Sequence, residues 1–279
     1  MLLYGLEVPI PGDTGGCQVV TGPRTATWHS VSIDTCTADA PARTDFSWSE
    51  GSARLRTAGQ LAVDVRRDPA FRVVTSSPTP LEPVELIHPV LTFAGAVIAS
   101  WTGRVALHAA SVVIHGAAWL LAAHPGGGKS TAAISLGLRG HPVLADDLTV
   151  LDGRTVLAGP RSVDLRIDAG NDGPARPVGA PTTRGRWRAA LGPAPAESPL
   201  GGVVLLEWGD ALGVRRLAPT ERLTALAVHD ALGGLSRQPQ MLLDLVDVPV
   251  HAVRRPRDWA VHDDALSLVE DLASARLLT

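Results

Sequence analysis

The sequence predicts an α/β protein whose first part is small and β-rich, and three observations carry this reading. Residues 1–84 alternate short β-type stretches with Gly, Pro, Thr and Asp punctuation. Ala117 to Ala122 is a short apolar run of buried-strand type, followed at once by a glycine-rich loop and then by helical spacing. Val203 to Glu207 repeats the buried-strand pattern, and Asp263 to Leu278 has the spacing of an amphipathic terminal helix. A chain of 279 residues, 45% hydrophobic and 19% charged, can bury one large core, or one core and a small annex.

The elements follow in order. Ser52 to Arg56, a turn at Ala58-Gly59 and Gln60 to Val65 read as a β-hairpin. A proline-rich link from Pro78 to Pro83 closes this part, which divides the chain into domains 1–84 and 85–279. Pro89 to Trp101 is the longest apolar run; it is too short to span a bilayer, is interrupted at Gly95 and predicts a buried helix. The first residues show no basic region followed by an apolar core and a cleavage site, which predicts a cytoplasmic protein. A net charge of −3 without a basic stripe argues against a nucleic-acid partner. Cys17 and Cys36 lack C-x-x-C spacing and are expected as free thiols. The chain has no internal repeat.

Among 25 basic side chains only Lys129 is a lysine. It stands in Ala123-His124-Pro125-Gly126-Gly127-Gly128-Lys129-Ser130-Thr131, which departs from the strict P-loop pattern only in Ala123 for the first glycine. The chemistry explains why arginine did not replace it: a compact ammonium on a flexible stem fits between nucleotide phosphates, and a planar guanidinium does not. Gly126 and Gly127 leave the backbone free to turn its N–H groups inward as an anion nest. Downstream, Ile134 and Leu138 lie at i, i+4 spacing, and Gly140 is a natural helix stop. Strand, loop and helix thus stand in the order that nucleotide binding requires, with residues 123 to 131 as the binding segment and Ser130 as a metal ligand.

An apolar strand from Val143 then delivers two adjacent carboxylates, Asp146 and Asp147. Neighbouring strand residues point to opposite faces, so the two are expected to divide their work, one serving Mg²⁺ and one accepting a proton from an attacking hydroxyl. Asp147 is the expected metal ligand with Ser130, and the order of the pair stays open. A solvated strand end or a turn cap is the bland alternative. His108 lies in the apolar stretch Ala106 to Ile114, where a histidine is ordinarily a satisfied core residue. His115, His124 and His141 are near in sequence, but their spacing offers neither H-x-x-x-H nor a cysteine partner, which argues against zinc.

Leu107 to Gly116, the glycine-rich loop, Leu138-Arg139-Gly140-His141 and Ala145-Asp146-Asp147 together resemble the catalytic domain of bacterial HPr kinase/phosphorylase and its shorter kinase relatives. The block runs from about Val105 to Gly153; Gly159-Pro160-Arg161, Pro199 to Glu207 and Val248-Pro249-Val250 extend it more weakly, and Tyr4-Gly5-Leu6 with Pro9 and Pro11 looks like the start of the short relatives. The resemblance implies an α/β P-loop kinase domain of HPr-kinase type behind the β-rich part, ATP and Mg²⁺ as cofactors, an assembly of subunits, and His108, Lys129, Asp146 and Asp147 as catalytic residues. The signature of the true HPr kinases is missing, which argues against HPr as the target. The short relatives resemble kinases that phosphorylate a hydroxyl near the C-terminus of a ribosomally made precursor peptide, lasso peptides above all.

Asp168 to Pro199 is dense in Gly, Pro and Arg, as a substrate loop or a disordered segment would be. Arg186-Trp187-Arg188 occupies the place of a basic residue followed by Trp in those relatives, and Arg184, Arg186 and Arg188 are expected to guide a peptide. Three functions therefore compete: a kinase for a peptide Ser or Thr, a kinase or nucleotidyl transferase for a small metabolite, and a nucleotide-binding switch. The paired Asp and His108 favour a kinase, because a switch needs no base.

Overall fold

The computed structural model describes residues 1–10, 20–166, 179–181, 186–234 and 242–275. It is a mixed α/β structure with several sheets. Cys17 and Arg184 lie outside the described residues, whereas Cys36 is an exposed free thiol.

The first sheet has seven strands in the order Leu2–Leu3, Leu6–Glu7, His29–Thr37, Phe71–Ser77, Leu61–Arg67, Ser52–Thr57 and Asp45–Trp48. The expected hairpin is present, pairing Thr57 with Leu61 and Ala53 with Val65. Alternation sets its faces: Leu61, Val63 and Val65 are buried, and the outer face carries cross-strand ion pairs such as Arg54–Asp64 and Arg72–Asp34.

A helical run covers the inner face, in three pieces: Pro83–Glu85, a π-helical Leu86–Leu91 and Thr92–Trp101. Glu85 accepts from the Glu82 amide at 3.0 Å, and Pro83 stands in the first turn, so the helix begins six residues before the apolar run that predicted it. By length and hydropathy Pro83–Trp101 is enough to cross a membrane; most of it is buried inside this fold. The hydrophobic cluster does not stop at residue 84. Val31, Val63 and Val73 pack with Val90, Val97 and Ile98, and with Ala145, Leu148 and Leu157 from the second part.

The second sheet runs Val143–Ala145, Ala109–Ile114, Ala117–Ala122, Glu197–Trp208, Thr155–Leu157, Thr149–Asp152 and Val105–Leu107, with Val250–Arg255 beside Glu197–Trp208 and Gly213–Arg216 outside it. Its centre is parallel: Ala122 lies opposite Leu205, and Leu205 opposite Ala252. One face, with Trp119, Leu121, Val204 and Val253, buries against the helices Lys129–Leu138 and His262–Ala275. The other, with Ala118, Leu120 and Val203, takes Leu226 of the helix Pro219–Val228. The terminal helix is described to Ala275, short of the expected Leu278, because residues 276–279 lie outside the described set. A small antiparallel sheet of Ser162–Arg166, Arg186–Ala190 and Gly179–Pro181 packs Val163, Leu165 and Ala189 on Ile134.

Strand direction and register position the site. Parallel strands bring their C-terminal ends to one edge, so the loop after Ala122, Trp208 and Arg255 meet there. Ala109 pairs with Ala122, and Ser111 with Ala145, so His108, Ala123 and Asp146 reach the same edge.

Candidate active site

The loop from Ala123 to Gly128 is shaped by glycines at alternate positions. Gly126 and Gly128 have φ of 81° and 84°, in the left-handed region that a Cβ disfavours. Between them the Gly127 amide donates to His124 O at 2.8 Å, and a Cβ on Gly127 would stand 2.7 Å from that of Ala123. Two loop carbonyls are held by side chains: Trp208 Nε1 donates to Gly126 O at 3.1 Å, and Arg255 Nη2 to Gly127 O at 3.3 Å. Arg255 is buried, with its guanidinium 4.4 Å over the Trp208 ring and 3.3 Å from His262 Nδ1, whose Nε2 meets Ser135 Oγ at 2.8 Å. The helix Lys129–Leu138 starts at Gly128, and first-turn N–H groups of a helix have no intrahelical acceptor. N–H groups at a positive helix end form a cradle for an anion.

The two carboxylates correct the sequence expectation of opposite faces. The strand ends at Ala145, and Asp147 takes φ 67°, so strand alternation no longer governs either residue and both line one cavity. Ser130 Oγ donates to Asp146 Oδ1 at 2.9 Å, so the hydroxyl expected to share a metal with Asp147 faces its neighbour instead. Asp147 accepts from Lys129 Nζ at 3.1 Å. His108 bridges the pair, with Nδ1 3.5 Å from Asp147 and Nε2 3.3 Å from Lys129, and its amide donates to His229 O at 2.7 Å. His88 stands on the far side of Asp147 at 3.8 Å, where the helical run breaks with φ −136° and ψ 121°, and its Nδ1 is 3.2 Å from Thr92 Oγ1.

This arrangement drives the carboxylates apart in acidity. Burial pushes Asp146 up to about 6, against the opposing pull of Lys129. Burial also raises Asp147, but Lys129, then His108 and His88, outweigh it and hold that carboxyl below the usual range. Burial lowers His108 and His88, and Lys129 lowers His108 further. Tyr4 is buried with its hydroxyl near Thr92 and the carboxylates, and its acidity is weakened by burial.

These groups line a cavity of about 520 Å³. It gathers the predicted Ala123, His124, Pro125, Gly126, Gly127, Gly128, Lys129, Ser130, Thr131, His108, Asp146 and Asp147, and Arg186 at its rim. Arg188 does not line it. Its guanidinium grips Asp164 at 2.6 and 2.5 Å and donates to Val84 O at 2.9 Å, which ties the small sheet to the start of the helical run. His115 and His141 sit away from the site, on Ser274 and Glu270 of the terminal helix. Sequence reasoning missed His88, Tyr4, Asp164, Trp208 and Arg255; the His88-Pro89 dipeptide inside an apolar run was the one local signal.

Ser130 and Asp146 offer hard oxygen donors, and Asp146 is a buried carboxylate short of counter-charge, so the pair suits a small divalent cation. No protein-family model matches the chain, and no curated protein matches it. Among solved structures it is similar to the HPr(Ser) kinase/phosphatase from Coxiella burnetii, with 14% identity over 62% of this chain and 96% of that one, and a TM-score of 0.33. A likeness this loose does not establish a common fold, and the functional reading stands on the residues.

Proposed function

We propose that the chain is a P-loop phosphotransferase that moves the γ-phosphoryl group of ATP to a hydroxyl, and that the acceptor is a Ser or Thr of a ribosomally made precursor peptide of the lasso type. One observation carries the reading: a carboxylate held ionised, Asp147, lies 3.1 Å from the only lysine, at the mouth of the glycine-rich cradle. A switch that only bound nucleotide would need the cradle and a metal ligand, but no such base.

In this reading the loop N–H groups and Lys129 bind the phosphates, and Lys129 faces the charge that grows during transfer. Ser130 and Asp146 would hold Mg²⁺, which would neutralise phosphate charge when bound. Asp147 accepts the acceptor's proton as its oxygen bonds to the γ-phosphorus, and the bond from that phosphorus to the β-phosphate oxygen breaks to release ADP. His108 and His88 flank Asp147 and orient it.

The test is incubation of the purified chain with γ-labelled ATP, Mg²⁺ and serine-containing peptides, read by mass spectrometry. One added phosphoryl group on a Ser or Thr is expected, falling about a thousandfold or more in Lys129→Ala. ATP binding without transfer to any acceptor would leave the switch. Labelling of a free hydroxy metabolite alone would make the chain a metabolite kinase.

A further inference from the structure

A second cavity, of about 370 Å³, adjoins the catalytic one, and His88, Thr92, His108 and Asp147 line both. Beyond this shared wall its character changes. Phe46 and Leu55 come from the first sheet, Phe93 and Ala96 from the helical run, and Leu148 and Leu232 close the rest. Phe46 and Phe93 meet edge to face, with ring centroids 5.8 Å apart. Among the described residues the lining contains no Lys, Arg or Glu, and its one carboxylate is Asp147 at the wall.

The geometry points to this pouch as the acceptor subsite: we propose that it seats one large apolar group, aromatic or branched aliphatic, carried next to the hydroxyl that is phosphorylated. The inference rests on the hydroxyl-kinase reading and adds the acceptor's chemistry to it. A group can enter the pouch beside Asp147 and keep contact with the wall only if it is attached close to the atom presented there. An acidic neighbour would lose its water to hydrocarbon and face the Asp147 carboxylate, with no Lys or Arg in the lining to pair with it. The β-rich N-terminal part thereby acquires a role, since it supplies Phe46 and Leu55 to a pouch that the other elements leave open on that side.

Four N-acetylated serine tripeptide amides, differing only in whether Phe, Leu, Gly or Asp flanks the serine, test this in two ways. Binding is measured by calorimetry with a non-hydrolysable ATP analogue present, and transfer by kcat/KM with ATP and Mg²⁺. The Phe and Leu peptides should exceed the Gly peptide by about 10- to 100-fold, as burial of such a side chain implies, with the Asp peptide weakest. Ala231→Trp, which fills the pouch from its rim, and Phe46→Ala, which strips it, should erase most of that preference. Nucleotide affinity and the slow hydrolysis of ATP by water should be unchanged in both. Apolar preference in binding without transfer would uphold the pouch and overturn the kinase. Transfer without apolar preference, a preference for Asp, or binding of none of the peptides would overturn the pouch.

Discussion

Ser130 Oγ donates to Asp146 Oδ1 at 2.9 Å, while the next carboxylate, Asp147, turns away to the ammonium of Lys129. Two adjacent side chains of one type are thus committed to different partners. Asp146→Asn should raise the Mg²⁺ concentration needed for half-maximal rate by roughly tenfold or more, with residual activity at saturation. Asp147→Asn should lower kcat by about 10²- to 10⁴-fold with little change in that requirement. A Mg²⁺ titration of both variants decides it; the reverse pattern would exchange the roles.

The raised pKa of Asp146 makes metal-free stability depend on pH in a definite direction. Its folded value is about 6 against an ordinary 3.8, so the folded state holds this proton more tightly than the unfolded state. The contribution is full below about 3.8 and lost as pH rises through about 6, a difference of roughly 3 kcal/mol. Asp147, held low, contributes in the opposite sense and loses its share as pH falls. In urea unfolding without divalent ions, Asp146→Asn should therefore gain on the wild type between pH 4 and pH 7. Mg²⁺ should restore the wild type at pH 7 and do little for the variant. Parallel pH profiles for the two proteins would refute the buried, uncompensated carboxylate.

Arg188 should behave as structure. Its pair with Asp164 leaves both side chains less than a fifth exposed, so Arg188→Ala strands a carboxylate whose amide touches Asp146. A loss of about 2–4 kcal/mol in unfolding free energy is expected. The acceptor KM should keep the salt dependence of the wild type, because a guide for an acidic peptide would lose it on truncation. A normal melting temperature with a salt-insensitive KM would return Arg188 to substrate guidance.

How far the site could be read from sequence follows from where its contacts come from. Ala117 to Ala122, the loop, the helix stop at Gly140 with φ 96° and the hairpin around Ala58-Gly59 are local patterns, and each forms where its residues call for it. Asp146 was legible because it sits close behind the loop helix in sequence. Its division of labour with Asp147 was not, since the strand ends at Ala145, before either carboxylate, and Asp147 takes a positive φ. His88, Trp208 and Arg255 reach the cavity through pairings with Asp147, Gly126 and Gly127 that lie 59, 82 and 128 residues apart in the chain, which no local periodicity encodes. The pouch beside Asp147 lay furthest from reading, because it joins both parts of the chain across the expected boundary at residue 84.

Gly128 and Arg255 form one mechanical unit, and substitution can separate its parts. Gly128 has φ 84°, and a Cβ there would run into the Arg255 guanidinium, which itself holds Gly127 O and stacks on Trp208. Gly128→Ala therefore meets two penalties: a left-handed conformation costing an L-residue about 1–2 kcal/mol, and displacement of Arg255. Arg255→Ala alone removes the hold on the Gly127 carbonyl and should weaken binding of an ATP analogue by about tenfold, with a small change in melting temperature. The double variant relieves the collision but keeps the backbone strain. Its analogue affinity should then be close to that of Gly128→Ala, far from the product of the two separate losses. Calorimetric titration of the three variants measures this directly. Strict additivity would mean that Arg255 supports nucleotide binding by a route independent of the loop.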